Sequence, residues 1–167
     1  MPDAPAIPRP SQLWKQLSPE RKLKAAEAFW SDDNAAAEQA EAIATIATRI
    51  KFRLKSVLSM PVEKKAKQLV ALPSVSELVA ARLLVAYHLI NQRPMMSSFL
   101  DALGIKHEEG LITEEEMKPP ATASLESAVK GLTGSYPAED VSLYLSTLTW
   151  QDPETWGELE QFVIRDS

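Results

Sequence analysis

The hydrophobic pattern of the chain predicts helices almost throughout. Apolar residues recur at spacings of three and four between residues 43 and 58, the periodicity of an amphipathic helix. The stripe consists of Ile43, Ile46, Ala47, Ile50, Leu54, Val57 and Leu58. Because capping side chains precede Ala35 and Pro61 cannot continue a helix, we expect one helix of about seven turns from Ala35 to Leu58.

A second segment, residues 75–91, is apolar on nearly every side. Its body is interrupted by Glu77, Arg82 and His88, and a helix of this kind is buried among other helices. Ser74 followed by Glu77 matches a capping box, which predicts the start of the helix. We therefore place residues 75–91 at the centre of the fold.

Prolines, capping residues and glycines delimit the remaining helices. They predict helices over residues 19–30, 62–71, 94–103, 122–132, 137–148 and 153–163. Gly104 fits a left-handed C-terminal cap, and the sequence IKHEEGLI around Gly110 predicts a loop or a very short hairpin.

Together these elements predict an all-α protein, an irregular orthogonal helical bundle of about seven to nine helices around the central helix 75–91. A chain of 167 residues, 45% of them hydrophobic, is the size of one domain. We assign the proline-rich residues 1–10 to a flexible arm and residues 11–167 to a single helical domain. Pro119-Pro120 marks a candidate sub-boundary within it.

Composition narrows the classes of function. The chain has no cysteine, which removes thiolate chemistry and favours a reducing, cytoplasmic location. The longest apolar stretch, residues 78–90, is shorter than the roughly twenty residues that span a bilayer, so no membrane partner is expected. No phosphate-binding loop, dinucleotide fingerprint or nucleophile elbow is present, and we predict no cofactor.

One cluster contains side chains that can bind metals. His107, Glu108 and Glu109 are adjacent in a glycine-containing loop, and Glu114–Glu116 follow. Metal sites on helices place their ligands at fixed offsets on one face, which adjacent loop residues do not provide. We therefore predict a solvated acidic loop and no metal site.

The stretch YHLINQRPMM, residues 87–96, offers two candidate sites. Tyr87, His88, Asn91 and Arg93 could line a small-molecule pocket, because His88 and Asn91 share a helix face. The favoured interpretation of His88 is a partly buried histidine with a local hydrogen bond near a helix end. Met95 and Met96 either line a partner-binding groove or, as we favour, fill the core.

A basic segment lies on this acidic chain, whose formal net charge is −5. Residues 49–67 contain one acidic residue, Glu63, and seven basic ones, namely Arg49, Lys51, Arg53, Lys55, Lys64, Lys65 and Lys67. Phe52 among them could stack on a base or on a partner's side chain. We favour packing of Phe52 beneath a second helical layer, with the basic side chains extending to water.

No motif names a chemistry, and we assign no catalytic residue. The sequence favours a non-enzymatic protein–protein interaction or regulatory module whose partner is another protein. Binding would use Met95 and Met96, or the basic face around Phe52, Arg49 and Arg53. The first alternative is a small-molecule-binding protein or enzyme with a pocket near His88. The second is nucleic-acid binding through residues 49–67, which the acidic net charge disfavours.

Overall fold

The computed structural model describes residues 8–163, and the predicted all-α fold is confirmed. Ten α-helices, one 3-10 helix and one two-stranded hairpin lie in this part of the chain. None of these helices is both long and apolar enough to cross a membrane. Of the arm predicted for residues 1–10, residues 1–7 lie outside the described residues, and the first helix begins at Pro10.

The chain divides into two compact units between Asn91 and Gln92. The first unit comprises residues 9–91, and residues 92–163 form the described body of the second. The division falls between two consecutive helices, upstream of the proline pair at 119–120. The assignment of residues 11–167 to one folding domain stays a prediction.

The first unit contains six helices arranged around its last one. They are α1 (Pro10–Gln16), α2 (Pro19–Trp30), α3 (Ala36–Ile50), α4 (Leu54–Leu58), α5 (Val62–Val70) and α6 (Glu77–Asn91). Helix α6 packs against α1, α2 and α3, and α2 also packs against α5. The core between them includes the fully buried side chains of Phe29, Ile46, Leu69, Leu83 and Leu84. Within this unit, α6 has the central place that its apolar sequence predicts.

The predicted capping box of α6 is wrong. Ser76, and not Ser74, caps the helix, because Ser76 Oγ accepts a hydrogen bond from Val79 N–H at 3.3 Å. The Glu77 carboxylate accepts hydrogen bonds from the backbone N–H of Ser11, at 3.1 Å, and from its hydroxyl. Glu77 therefore ties α1 to the start of α6. The predicted start of α2 is confirmed, since Ser18 Oγ accepts from Arg21 N–H at 3.4 Å.

The predicted long helix from Ala35 to Leu58 is also wrong. Helix α3 ends at Ile50 because Lys51 adopts a left-handed conformation with φ 60°. The N–H groups of Lys51 and Phe52 both donate to the carbonyl oxygen of Ala47, which closes the helix end. The next helix, α4, has five residues, and because of the break its axis does not continue that of α3.

The second unit contains four helices, a hairpin and a 3-10 helix. These are α7 (Arg93–Leu103), β1 (His107–Glu108), β2 (Leu111–Ile112), α8 (Thr122–Ser135), α9 (Ala138–Gln151), α10 (Pro153–Trp156) and the 3-10 helix (Gly157–Phe162). Helix α7 packs against α8, and α9 packs against α10 and the 3-10 helix. The Phe99 ring contacts Tyr144 edge-on, with 5.5 Å between ring centroids, and Trp156 lies 5.9 Å away.

Helix α9 is buried along most of its length although it contains serine and threonine. The hydroxyls of Thr147 and Thr149 donate to the carbonyl oxygens of Leu143 and Leu145, at 2.7 and 2.8 Å. Each hydroxyl is thus satisfied inside its own helix, and that of Thr149 also lies 3.4 Å from the carbonyl oxygen of Trp156.

Of the two structures predicted around Gly110, a loop or a very short hairpin, the chain forms the short antiparallel hairpin. Glu108 pairs with Leu111, and His107 pairs with Ile112. The two turn residues, Glu109 and Gly110, have φ values of 50° and 90°, and two consecutive positive φ values are typical of a type I′ turn. Gly104 has φ 70° and caps α7, as predicted.

Candidate functional site

Three of the four predicted ligand-binding residues lie at the C-terminal end of α6. Tyr87 and His88 are buried, and Asn91 is exposed. The ring nitrogen Nδ1 of His88 donates to the carbonyl oxygen of Leu84 at 2.7 Å, because a carbonyl can only accept. The amide of Asn91 donates to the carbonyl oxygen of Tyr87 at 3.2 Å. These are local bonds within one helix, as the favoured interpretation of His88 expects.

The fourth residue, Arg93, begins α7 in the second unit and holds the hairpin. Its Nη1 donates to the carbonyl oxygen of Glu109 at 3.1 Å and lies 3.7 Å from the Glu109 carboxylate. The four predicted residues are thus divided between two units. Their shared pocket stays a prediction.

Met95 and Met96 are buried in the second unit. A Cβ atom placed on Gly110 would lie 2.7 Å from Met96 Cβ, so the hairpin turn rests directly on this side chain. Both methionines therefore fill the core, the alternative that their sequence favours, and they present no surface for a partner.

The second histidine, His107, supports the hairpin. Its Nε2 lies 2.6 Å from the Asp101 carboxylate, and its Nδ1 accepts a hydrogen bond from Gly110 N–H at 3.1 Å. Both ring nitrogens are engaged in contacts with neighbouring residues. In the described part of the chain, no group of three or more histidine, aspartate or glutamate side chains could hold a metal ion.

The basic segment contains the largest cluster of exposed apolar side chains in the first unit. Phe52, Leu54 and Leu58 are 53%, 58% and 59% exposed. Lys51, Arg53 and Lys55 alternate with them and are also exposed. We call these six residues the basic ridge. The expectation that Phe52 packs beneath a second helical layer is wrong, and so is the placement of Leu54 and Leu58 in the core stripe.

The break after α3 explains why the ridge is exposed. If α3 continued, Leu54 and Leu58 would follow the buried stripe of Ile43, Ile46 and Ala47. With the break at Lys51, only Val57 of residues 51–58 is buried. Leu54 and Leu58, four residues apart on α4, lie on one solvent-facing side of the helix.

The cations of residues 49–67 are not neutralised by nearby carboxylates. None of the seven makes an ion pair within residues 8–163. Elsewhere in the first unit, Arg82 pairs with Glu38 at 3.8 Å and Lys24 with Glu20 at 3.6 Å. Lys65 has a different partner, since its ammonium lies 5.0 Å from the centroid of the buried Trp30 ring. The ridge therefore lies in a segment with uncompensated positive charge.

An open groove of about 510 Å³ adjoins this segment. It lies between the exposed face of α3 and residues 72–74, and Arg49 forms part of its wall. Thr45 and Thr48 also line it, but their hydroxyls donate to the carbonyl oxygens of Glu41 and Ala44. Arg49 is therefore the one charged side chain that the groove offers to a partner.

Sequence reasoning found the basic members of the ridge and missed its leucines. No local signal marked their exposure, because the apolar spacing of three and four residues continues through the break at Lys51. No protein-family model, no curated protein and no solved structure was found to match the chain.

Proposed function

We propose that this protein is a non-enzymatic interaction module that binds another protein through the basic ridge. The observation that carries the proposal is the exposure of three large apolar side chains, Phe52, Leu54 and Leu58, within seven residues. Isolated exposed apolar residues are ordinary, whereas a cluster rimmed by charge is typical of a binding surface.

The composition of the ridge favours a protein partner over nucleic acid. Phosphates bind cations and bases stack on aromatic rings, but neither interaction uses Leu54 or Leu58. Aliphatic side chains at i and i+4 fit an apolar depression on another protein. Lys51, Arg53 and Lys55 would then orient an acidic partner and speed its association. The lack of cysteine favours the cytoplasm as the location of this binding.

The backbone of Lys51 supports a functional role for this segment. A left-handed conformation costs a non-glycine residue roughly 1–2 kcal/mol, and strained positions of this kind cluster at functional sites. Lysine at this position is better explained by binding than by stability.

The proposal can be tested by site-specific photo-cross-linking in a lysate of the native source. A photoreactive residue replaces Leu58 in one variant and Leu78, which is 69% exposed on α6, in the control. We expect position 58 to cross-link one defined protein and position 78 not to do so. Combining the probe at 58 with Arg53→Glu and Lys55→Glu should reduce that product at least tenfold, a loss of about 1.4 kcal/mol in binding.

Other products would contradict the proposal in informative ways. A product that nuclease removes would establish the nucleic-acid alternative, and cross-linking to lipid would identify a membrane surface as the ligand. Equal products from positions 58 and 78 would show that the ridge has no special role.

A further inference from the structure

The two units carry opposite charge. Residues 9–91 contain 13 Lys and Arg and 8 Asp and Glu, a formal net charge of +5. Residues 92–167 contain 5 basic and 14 acidic residues, a net charge of −9. One chain therefore provides both a basic and an acidic surface.

The acidic unit has an exposed apolar side chain of its own. Leu111 in β2 is 46% exposed, and it pairs directly with Glu108, so both side chains lie on the same face of the hairpin. The other face carries His107 and Ile112, which are partly buried.

Further carboxylates follow the hairpin. Lys106 N–H donates to the Glu114 carboxylate at 2.9 Å, and Thr113 N–H donates to the carbonyl oxygen of Lys106 at 3.0 Å. These bonds fold residues 113–114 back along the first strand. Glu115 and Glu116 come next and are exposed. We call Glu108, Leu111, Glu115 and Glu116 the acidic hairpin surface.

We propose that the basic ridge of one copy docks on the acidic hairpin surface of a second copy. The ridge combines three exposed apolar side chains with positive charge, and the hairpin surface combines one, Leu111, with negative charge. None of the ridge cations, nor Glu108, Glu115 or Glu116, makes an ion pair within residues 8–163. All of these charges are therefore available to a second chain.

The contact joins two different surfaces, so it is heterologous. Each copy in a pair retains one unoccupied ridge and one unoccupied hairpin surface, and association continues until a ring closes or an open chain forms. Few side chains take part, which places the contact among weak interfaces of less than about 1,200 Å² in total. A weak self-contact also leaves the ridge accessible to a tighter partner.

The test uses two full-length variants that each lack one surface. Arg53→Glu with Lys55→Glu reverses the charge of the ridge, whereas Glu108→Gln with Glu115→Gln neutralises the hairpin surface, so the two variants do not acquire a new pair of opposite charges. Sedimentation equilibrium should show a mass that rises with concentration for the wild type at low salt and falls to one chain in about 0.5 M salt, where charges are screened beyond ~4 Å. Each variant alone should remain at one chain.

The decisive sample is an equimolar mixture of the two variants. The hairpin-neutralised chain retains a working ridge and the ridge-reversed chain retains a working hairpin, and the other two surfaces no longer match, so the mixture should form a complex of two chains and stop there. Adding Leu54→Ser and Leu58→Ser to the hairpin-neutralised chain should abolish this complex without any further change of charge. Lys15→Glu with Lys24→Glu, which alters exposed cations outside the ridge, should self-associate like the wild type. Circular dichroism checks that all variants fold.

The proposal rests on the same ridge as the proposed function, but the two can fail separately. A wild-type mass of one chain at every concentration, or a mixture that stays at one chain, would overturn self-association. Cross-linking of a different protein from position 58 would still support the proposed function in that case. Association by either variant alone would assign the contact to another surface.

Discussion

The conformation of single residues determines where the binding surface lies. Lys51 takes the left-handed conformation that ends α3, although neither glycine nor asparagine occupies the position. A C-terminal cap of this kind usually carries glycine, because a Cβ atom crowds the following carbonyl oxygen. The sequence thus retains a side chain where the backbone favours none.

We expect Lys51→Gly to stabilise the protein by about 1 kcal/mol, since it removes the left-handed penalty without loss of a packed side chain. Urea unfolding followed by circular dichroism measures the change. Lys51→Ala is the matched control and should leave stability nearly unchanged, because alanine has the same penalty. A destabilised glycine variant would mean that the lysine side chain stabilises this helix end.

Substitutions at the two glycines with positive φ distinguish the cost of backbone strain from the cost of steric overlap. Gly104→Ala should cost about 1 kcal/mol, because φ is 70° and a Cβ atom would meet open space. Gly110→Ala should cost about 2 kcal/mol more, because its Cβ would also lie 2.7 Å from Met96 Cβ. Thermal unfolding of both variants provides the comparison. Equal losses would show that the hairpin moves away from Met96 easily.

At the scale of the element, several helix boundaries followed from a proline, a capping oxygen or a glycine in the sequence. Pro19 begins α2, and Gly104 ends α7, both as predicted. The break at Lys51 has no such marker, and the apolar period of three and four residues continues through it to Leu58. Burial of Val57 holds α4 in place, and this tertiary contact is invisible in a one-dimensional pattern.

The candidate site was also only partly predictable, because part of it depends on tertiary contacts. Positive charge is a property of the residues alone, so the basic segment was predictable. Exposure of Phe52, Leu54 and Leu58 depends on the direction of α4 after the break, so this exposure could not be predicted from the sequence. Burial of α9 was likewise hidden, because Thr147 and Thr149 count as polar in the sequence but satisfy their hydroxyls within the helix.

The stabilisation that the contact between α1 and α6 contributes should depend on pH. Partial desolvation acts to raise the pKa of Glu77, but the hydrogen bonds from Ser11 and the charge of Arg9 outweigh it and hold the pKa below its ordinary 4.5. The stabilisation is therefore fully present above about pH 4.5 and is lost as the pH falls through the lower folded-state value. Glu77→Gln should weaken this acid dependence, with a loss at neutral pH of at most about 1 kcal/mol because the carboxylate is half-exposed.

Urea unfolding at several pH values between about 7 and 3 measures this effect. Glu20→Gln is the control, because Glu20 is an exposed member of a surface pair with Lys24 on α2. It should retain the acid dependence of the wild type. An unchanged pH profile for Glu77→Gln would assign the acid sensitivity to other carboxylates.

At the scale of the whole molecule, each unit has a core of its own. Trp14 and Trp30 are buried in residues 9–91, and Trp156 is buried in the second unit. The units also differ in charge, so conditions of salt and pH act on them differently. These two properties favour two separate folding elements over the single domain that the sequence predicts.

We expect residues 9–91, produced alone, to fold cooperatively, because their helices pack around α6 and bury their own apolar side chains. Circular dichroism and the fluorescence of Trp14 and Trp30 should show one coincident unfolding transition. Residues 92–167 serve as the matched fragment, followed through Trp150 and Trp156. A fragment without a cooperative transition would show that the two units require each other to fold.

The short helix α4 has a consequence for the lifetime of the protein. Val57 is the one buried side chain of residues 51–58, and a segment with so little buried surface opens locally more often than its surroundings. Three exposed basic residues in it, Lys51, Arg53 and Lys55, make this segment a substrate for proteases that cleave after lysine and arginine. A ligand on the ridge would cover those bonds, so unoccupied copies would be degraded first and the abundance of the protein would follow that of its partner.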